Sequence, residues 1–255
     1  MNKNNITSAA PIILALDTSG KTTSLAVARG GSLLESINEL PDQKRSETLW
    51  TEIEKLLGGL GMTIGDVDVF SVCVGPGGFT GLRVGMAAVM GFAAATDKPV
   101  VGITSLEAAA FAAGTGELVC PILNAYKGEV YSQLFAFDGD GIPVAKNDPM
   151  VSTLASALER ISGEKELVLA GDAAEVGSEE IGIGGEADAE RKWPTYRSSH
   201  GLAEDVARVA FLKYKRGDIE PVSQLKACYV RPSEAEIKLS LGLLGTKIRR
   251  SMRAE

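Results

Sequence analysis

VCVGPGGFTGLRVGMAAVMG, residues 72–91, decides how the rest of the chain reads. An apolar strand ends at Val74. Gly75, Gly77 and Gly78 around Pro76 then make a turn that needs backbone angles or close approaches a Cβ forbids. A helix begins near Thr80, whose hydroxyl suits an N-cap, and small residues recur along it at Gly81, Gly85, Ala88 and Gly91. Each glycine lowers helix stability by about 0.8–1.0 kcal/mol relative to alanine. A helix that keeps several recovers the loss by close packing on one face, against either the chain's own sheet or another protein.

Upstream, residues 12–18 (IILALDT) form a buried strand, and strands at 24–28 and 32–37 follow as a hairpin across Arg29-Gly30-Gly31. Residues 46–60 carry Leu49, Ile53, Leu56, Leu57 and Leu60 on one helix face. A strand at 67–74, the small-residue helix at 80–95 and a strand at 99–103 complete a mixed sheet flanked by helices, the ribonuclease-H-like layout. A second pass then begins. It predicts a helix over 105–113, a hairpin of 117–124 with 130–137, a helix over 151–161 and a strand over 166–170. An exposed loop over 172–192 and an amphipathic helix over 201–215 follow. Two successive mixed sheets make a duplicated, two-lobed α/β architecture.

The 255 residues are 45% apolar and 23% charged, as in ordinary globular proteins. No apolar run approaches the roughly 20 residues of a membrane span, and residues 1–11 read as a flexible leader rather than a secretory signal. Cys73, Cys120 and Cys228 are odd in number, widely spaced and set among apolar neighbours, which fits reduced thiols in a cytoplasmic protein. The net charge of −7 opposes a self-sufficient nucleic-acid binder. From Lys226 onward, however, seven Lys or Arg face three Asp or Glu, so the remainder carries about −11. The basic end KIRRSMRAE reads as a solvated terminus, with contact to RNA or an acidic surface as the alternative.

Asp17-Thr18-Ser19 closes the first strand at a tight turn, where backbone N–H groups and hydroxyls could hold a nucleotide's phosphates. A hairpin turn satisfied by its own Asp and Ser explains the same residues. GPGGFTG has neither the Lys-Ser/Thr ending of a Walker loop nor the full dinucleotide spacing, so it reads as a structural glycine turn. His200 is the only histidine, which excludes H-x-x-x-H and H-E-x-x-H metal sites. Lys44-Arg45-Ser46-Glu47 could be an anion site, although Ser46 as an N-cap with Glu47 in the first turn suffices.

Together these residues resemble the TsaB (YeaZ) family. The matching pieces are ILALDTS at 13–19, RSETL at 45–49, GPGGFTGLRVG at 75–85, GITSL at 102–106, GEVY at 128–131 and YVRPSEAE at 229–236. The resemblance implies a two-lobed actin-like ATPase fold, a duplicated ribonuclease-H-like fold with mixed sheets flanked by helices. It divides the chain into a leader (1–11), a partner-binding lobe (12–105), a second lobe (106–238) whose final helix is a candidate to return to the first, and a basic tail (239–255).

It also implies a non-catalytic subunit. Its catalytic paralogue, TsaD, holds the metal through histidines and transfers a threonylcarbamoyl group to N6 of the adenosine beside the anticodon of tRNA. TsaE, a small ATPase, joins the pair, and tRNA is met through the complex. Arg45 stands where many relatives carry His, and Asn124 with Tyr126 replace a common Asp-Ala-Arg. No catalytic residue, metal or required cofactor is implied, and weak nucleotide binding at Asp17, Thr18 and Ser19 stays open.

The helices at 46–60 and 80–95 are expected to form the seam with TsaD, or with a second copy in its absence. The seam draws on Leu49, Trp50, Ile53, Leu82, Met86, Val89 and Met90. The rival functions are an ATP-binding phosphotransferase, a protease and a direct tRNA binder. For a protease, one His and three scattered Cys offer no site.

Overall fold

In the computed structural model, which describes residues 10–41, 45–114, 118–173, 195, 196, 198, 200–231 and 239, the first strand, β1 (Ile12–Asp17), is buried at every position. A strand buried on both faces belongs in the middle of a covered sheet. It pairs antiparallel with β2 (Thr22–Arg29), which pairs antiparallel with β3 (Ser32–Pro41). On its other side β4 (Val69–Gly75) runs parallel, followed by β5 (Val100–Thr104). The order is β3-β2-β1-β4-β5.

The period of two along these strands sorts their side chains onto two helical layers. Leu14, Leu16, Leu25, Val27, Phe70 and Val72 pack with helices α1 (Arg45–Gly59) and α2 (Phe79–Thr96). Ile13, Ala15, Ala26, Cys73 and Ile103 face the other way. Helix α3 (Ser105–Ala112) follows β5, capped by Thr104 Oγ1, which accepts from Glu107 N–H at 3.0 Å.

The second sheet repeats the first. Its central strand β6 (Leu118–Asn124) pairs antiparallel with β7 (Glu129–Ser132), and β10 (Met150–Thr153) lies antiparallel beyond β7. On the other side β11 (Leu167–Ala170) and β12 (Thr195–Tyr196) run parallel. The order β10-β7-β6-β11-β12 thus matches β3-β2-β1-β4-β5 strand for strand. Two short strands, β8 (Phe135–Phe137) and β9 (Pro143–Ala145), attach beside β6. Helix α4 (Leu154–Arg160) covers Ile122, Val130, Leu167 and Leu169.

The two lobes exchange their last helices. Helix α5 (Leu202–Arg216) follows the second sheet, yet Ala203, Val206, Ala207, Val209 and Ala210 pack on the first. In return, Leu106 and Ala110 of α3 join the second core with Val119, Tyr131, Phe135 and Ala170. The duplicated arrangement is the two-lobed actin-like ATPase fold.

Several expectations need correction. The strand over 130–137 is two strands, because the Asn147 side chain takes Leu134 N–H at 2.8 Å and its carbonyl accepts from Gln133 Nε2 at 2.7 Å. The helix over 151–161 begins only at Leu154. Val151 and Thr153 belong to β10, whose pairing with β7 outweighs the helical pattern. Thr80 is not an N-cap: Gly78 holds that position in extended backbone, and Leu82 N–H donates to Gly78 O at 3.0 Å. Most of the leader, nearly all of the loop predicted over 172–192 and all of the tail except Leu239 lie outside the described residues, as do Lys44 and the side chains of Arg45 and Ser46.

Candidate functional site

A cleft of about 520 Å³ opens between the lobes, with Asp17 and Ser19 on one wall and Asn124 and Tyr126 on the other. The walls are the β1–β2 and β6–β7 turns, equivalent positions in the two repeats. Asp17 is 5% exposed, and its Oδ1 accepts from Ser19 N–H at 2.9 Å and Ser19 Oγ at 2.6 Å. Ser19 O in turn accepts from Gly78 N–H at 2.8 Å. The glycine turn is shaped to receive this hairpin, since a Cβ on Gly77 would stand 2.5 Å from Ser19 O. These donors are therefore already engaged inside the protein.

Thr18 does not join the cleft. Its Oγ1 donates to Gly81 O in α2 at 2.8 Å, and a Cβ on Gly85 would lie 2.3 Å from that hydroxyl. Of the three candidate phosphate-binding residues, Asp17 and Ser19 line the cleft and Thr18 ties β1 to α2.

On the opposite wall, Asn124 Oδ1 accepts from Tyr126 N–H at 2.7 Å, and Asn124 N–H donates to Asp172 Oδ1 at 2.9 Å. Tyr126 and Lys127 both adopt left-handed backbone, with φ of 61° and 60°, an uncommon state for residues other than glycine. Lys21 Nζ lies 5.9 Å from the Tyr126 ring centroid, across the mouth. Among the described residues, Asp17, Glu39 and Asp172 are the lining carboxylates, and Lys21 is the lining ammonium. That balance opposes a polyphosphate.

His200 stands at the cleft floor. Its Nε2 is 3.6 Å from Glu204 Oε2 and its Nδ1 is 3.7 Å from Asp205 Oδ2. Glu204 Oε1 accepts from Ser36 Oγ at 2.8 Å and from Asn38 Nδ2 at 3.3 Å, and Arg208 Nη1 donates to Asp205 Oδ1 at 3.2 Å. Burial pushes the Asp205 carboxyl up to about 6, against the pull of His200 and Arg208. This cluster was missed from the sequence, although His200-x-x-x-Glu204 at the start of an amphipathic helix was its visible signal.

Among the described residues, no group of three or more His, Cys, Asp or Glu side chains is placed to hold a metal ion. Burial, and then the negative charge of Asp17, pushes the Cys73 thiol well up. Burial likewise raises Cys228 and takes Cys120 up to about 12. None of the three is a poised nucleophile.

The other candidate site is the outer face of α1 and α2, and here the expected seam needs revision. Leu49, Ile53, Leu82, Met86 and Val89 are buried in the protein's own core. On α2, Leu82, Met86, Val89 and Ala93 recur three or four residues apart, so they share the face turned to the sheet. Of the seven, Trp50 reaches solvent at 49% exposure and Met90 is half-buried. The outer stripe of α2 consists of Thr80, Arg83, Ala87, Gly91 and Ala94, all exposed.

Among the described residues, a Cβ on Gly91 would meet no packing neighbour within 4 Å, in contrast to one on Gly85. Trp50 stands beside this stripe with its ring 5.1 Å from that of Phe92. By length and composition α2 is also apolar enough to cross a membrane; its inner face lies on the sheet.

Residues 39–170 match the family model described as TsaD, tRNA N6-adenosine threonylcarbamoyltransferase. The tRNA threonylcarbamoyladenosine biosynthesis protein TsaB of Escherichia coli is 26% identical over 244 residues, covering 89% of this chain and 97% of that protein. Its namesake from Haemophilus influenzae is 36% identical over 122 residues, which span 47% of this chain and only 51% of the relative. The solved structure of YeaZ from Pseudomonas aeruginosa superposes with a TM-score of 0.69 at 26% identity, over 86% of this chain and 99% of that one.

Proposed function

The chain belongs to this TsaD-related family, within it to the TsaB (YeaZ) group, and from that premise we propose that it is a non-catalytic subunit. It binds a TsaD-type catalytic subunit and supports transfer of the threonylcarbamoyl group to N6 of the adenosine beside the anticodon of tRNA. The supporting observation is the outer stripe of α2. Gly91 weakens the helix, and among the described residues no packing neighbour lies within 4 Å of where its Cβ would stand. Such a glycine earns its place where a second backbone comes close. Ala87 and Ala94 extend the flat strip, and Trp50 supplies a large anchor at its edge.

The family model spans both α1 and α2, so a TsaD-type partner carries counterpart helices. Related surfaces of this kind pair across a pseudo-two-fold axis. A second copy of the chain takes the same seat when TsaD is absent. TsaE joins the pair, tRNA is met through the complex, and the assembly works in the cytoplasm without a membrane.

The phosphotransferase alternative is less well supported. It needs phosphate donors at the β1–β2 turn, where Asp17 takes Ser19 N–H and Ser19 Oγ, and the facing Gly78 N–H of the β4–α2 turn is taken by Ser19 O. No cofactor is required on this reading, and nucleotide binding is weak at most.

The test is calorimetric titration with the TsaD-type subunit of the same organism. Trp50→Ala and Gly91→Glu should each weaken pairing at least tenfold without lowering the melting temperature of the isolated chain. Undiminished pairing in both variants removes this face as the seat. Brisk ATP hydrolysis by the isolated chain removes the non-catalytic assignment.

A further inference from the structure

A cluster at the N-terminal end of α2 belongs to neither the cleft nor the core. Tyr229 lies in the segment after α5 and stacks on Phe79, with ring centroids 4.6 Å apart and planes 15° from parallel. The Arg83 guanidinium stands 5.8 Å from the Phe79 centroid and 6.0 Å from that of Tyr229. Its Nε donates to the Tyr229 hydroxyl at 3.3 Å. Tyr229 nevertheless stays 45% exposed, and Arg83 is exposed as well.

The segment is tied on both sides of that ring. Cys228 N–H donates to Val74 O at 2.8 Å, and Arg231 pairs with Glu129 in the second lobe. Arg83 lies on the same stripe as Ala87, Gly91 and Ala94. The cluster therefore continues the partner-facing surface beyond the helices and onto the C-terminal segment.

We infer that Arg83 and Tyr229 are the polar anchor of the seat for the TsaD-type subunit, receiving a carboxylate or a helix C-terminal carbonyl from it. The inference rests on the reading of α2 as that seat. A flat strip of small apolar residues supplies contact area but little direction, whereas a fixed guanidinium and phenol set the register. Tyr and Arg are also the side chains that concentrate binding energy at interfaces, and a ring already stacked in place loses little freedom on docking.

The occupant follows from the family match over 39–170, which gives the partner a counterpart of α2. A pseudo-two-fold axis running across these helices sets the N-terminal end of one against the C-terminal end of the other. That end carries the negative pole of the helix. In this chain it also carries an exposed Asp97 at its cap.

The experiment measures affinity for the purified TsaD-type subunit with Arg83→Glu, Tyr229→Ala and, as a reference for the helical seat, Trp50→Ala. Arg83→Glu and Tyr229→Ala should each weaken binding about tenfold or more, with melting temperatures unchanged. If Trp50→Ala weakens binding while both anchor variants stay within twofold of the parent, the anchor is wrong and the seat stands. If all three bind like the parent, seat and anchor fall together. Should Tyr229→Ala lower the melting temperature, Arg83→Glu decides alone, because its side chain is exposed.

Discussion

The interlobe cleft and the outer face of α2 are both surfaces where a ligand could sit, and they differ in what they leave unmet. At the two turns that wall the cleft, polar groups answer one another, leaving Asn38 Oδ1 as the buried lining atom without a hydrogen bond among the described residues: Asp17 takes both donors of Ser19, Gly78 serves Ser19 O, and Asn124 closes on Tyr126. On α2, the small residues divide. Gly85 makes room for Thr18, whereas Gly91 makes room for no neighbour among the described residues. Volume and polarity therefore mark the weaker candidate, and an unspent glycine marks the stronger. A concave site is persuasive only when its donors remain available.

The largest effect should come from the inner face of α2. Val89→Glu places an unpaired charge in the first core, where Val89 is fully buried, and should cost about 3–5 kcal/mol. Urea denaturation should show the first lobe lost, and a stable variant would mean that α2 does not pack as described. Gly85→Ala is next: its methyl meets Thr18 Oγ1 at 2.3 Å, and overpacking of this kind costs about 1–3 kcal/mol.

Asp205 tests the cleft side of the comparison. Its carboxyl is held up at about 6 by burial, against an ordinary value of 3.8. Folding thus favours the protonated acid. That stabilisation is complete below about pH 3.8 and is lost as the pH rises through 6. Asp205→Asn should flatten the fall in stability across that window, measured by denaturation at stepped pH; an unchanged slope would assign it to other groups.

Gly91→Ala is the smallest change. It should raise the stability of the isolated chain by about 1 kcal/mol, because the helix gains propensity and meets no neighbour. A loss of stability instead would show that Gly91 already serves an internal contact.

Much of the first lobe was legible along the chain. Its strands are continuous apolar runs and its helices carry clear periodicity, so local pattern and burial agree. The second lobe was harder, because short strands such as β8, β9 and β12 carry too few residues for a pattern, and Val151 to Thr153 suit strand and helix alike. The turn chemistry of Asp17 and Ser19 was visible, but Thr18 could be placed only once Gly81 and Gly85 were seen beside it. Five of the seven expected seam residues lie buried in the chain's own core for a related reason. Apolar side chains at helical spacing satisfy the chain's own sheet before any partner.

By itself, the order of residues determined the elements, the glycine turn, the duplicated plan and the family likeness, all of which rest on neighbours in sequence or on a pattern of a few turns. Only the tertiary structure decided that α3 and α5 exchange lobes, that Arg83 meets Tyr229 from 146 residues away, and which glycine of α2 faces inward. Periodicity tells which residues avoid water. It does not tell which of two apolar surfaces receives them, because that choice is made by contacts between segments far apart in the chain.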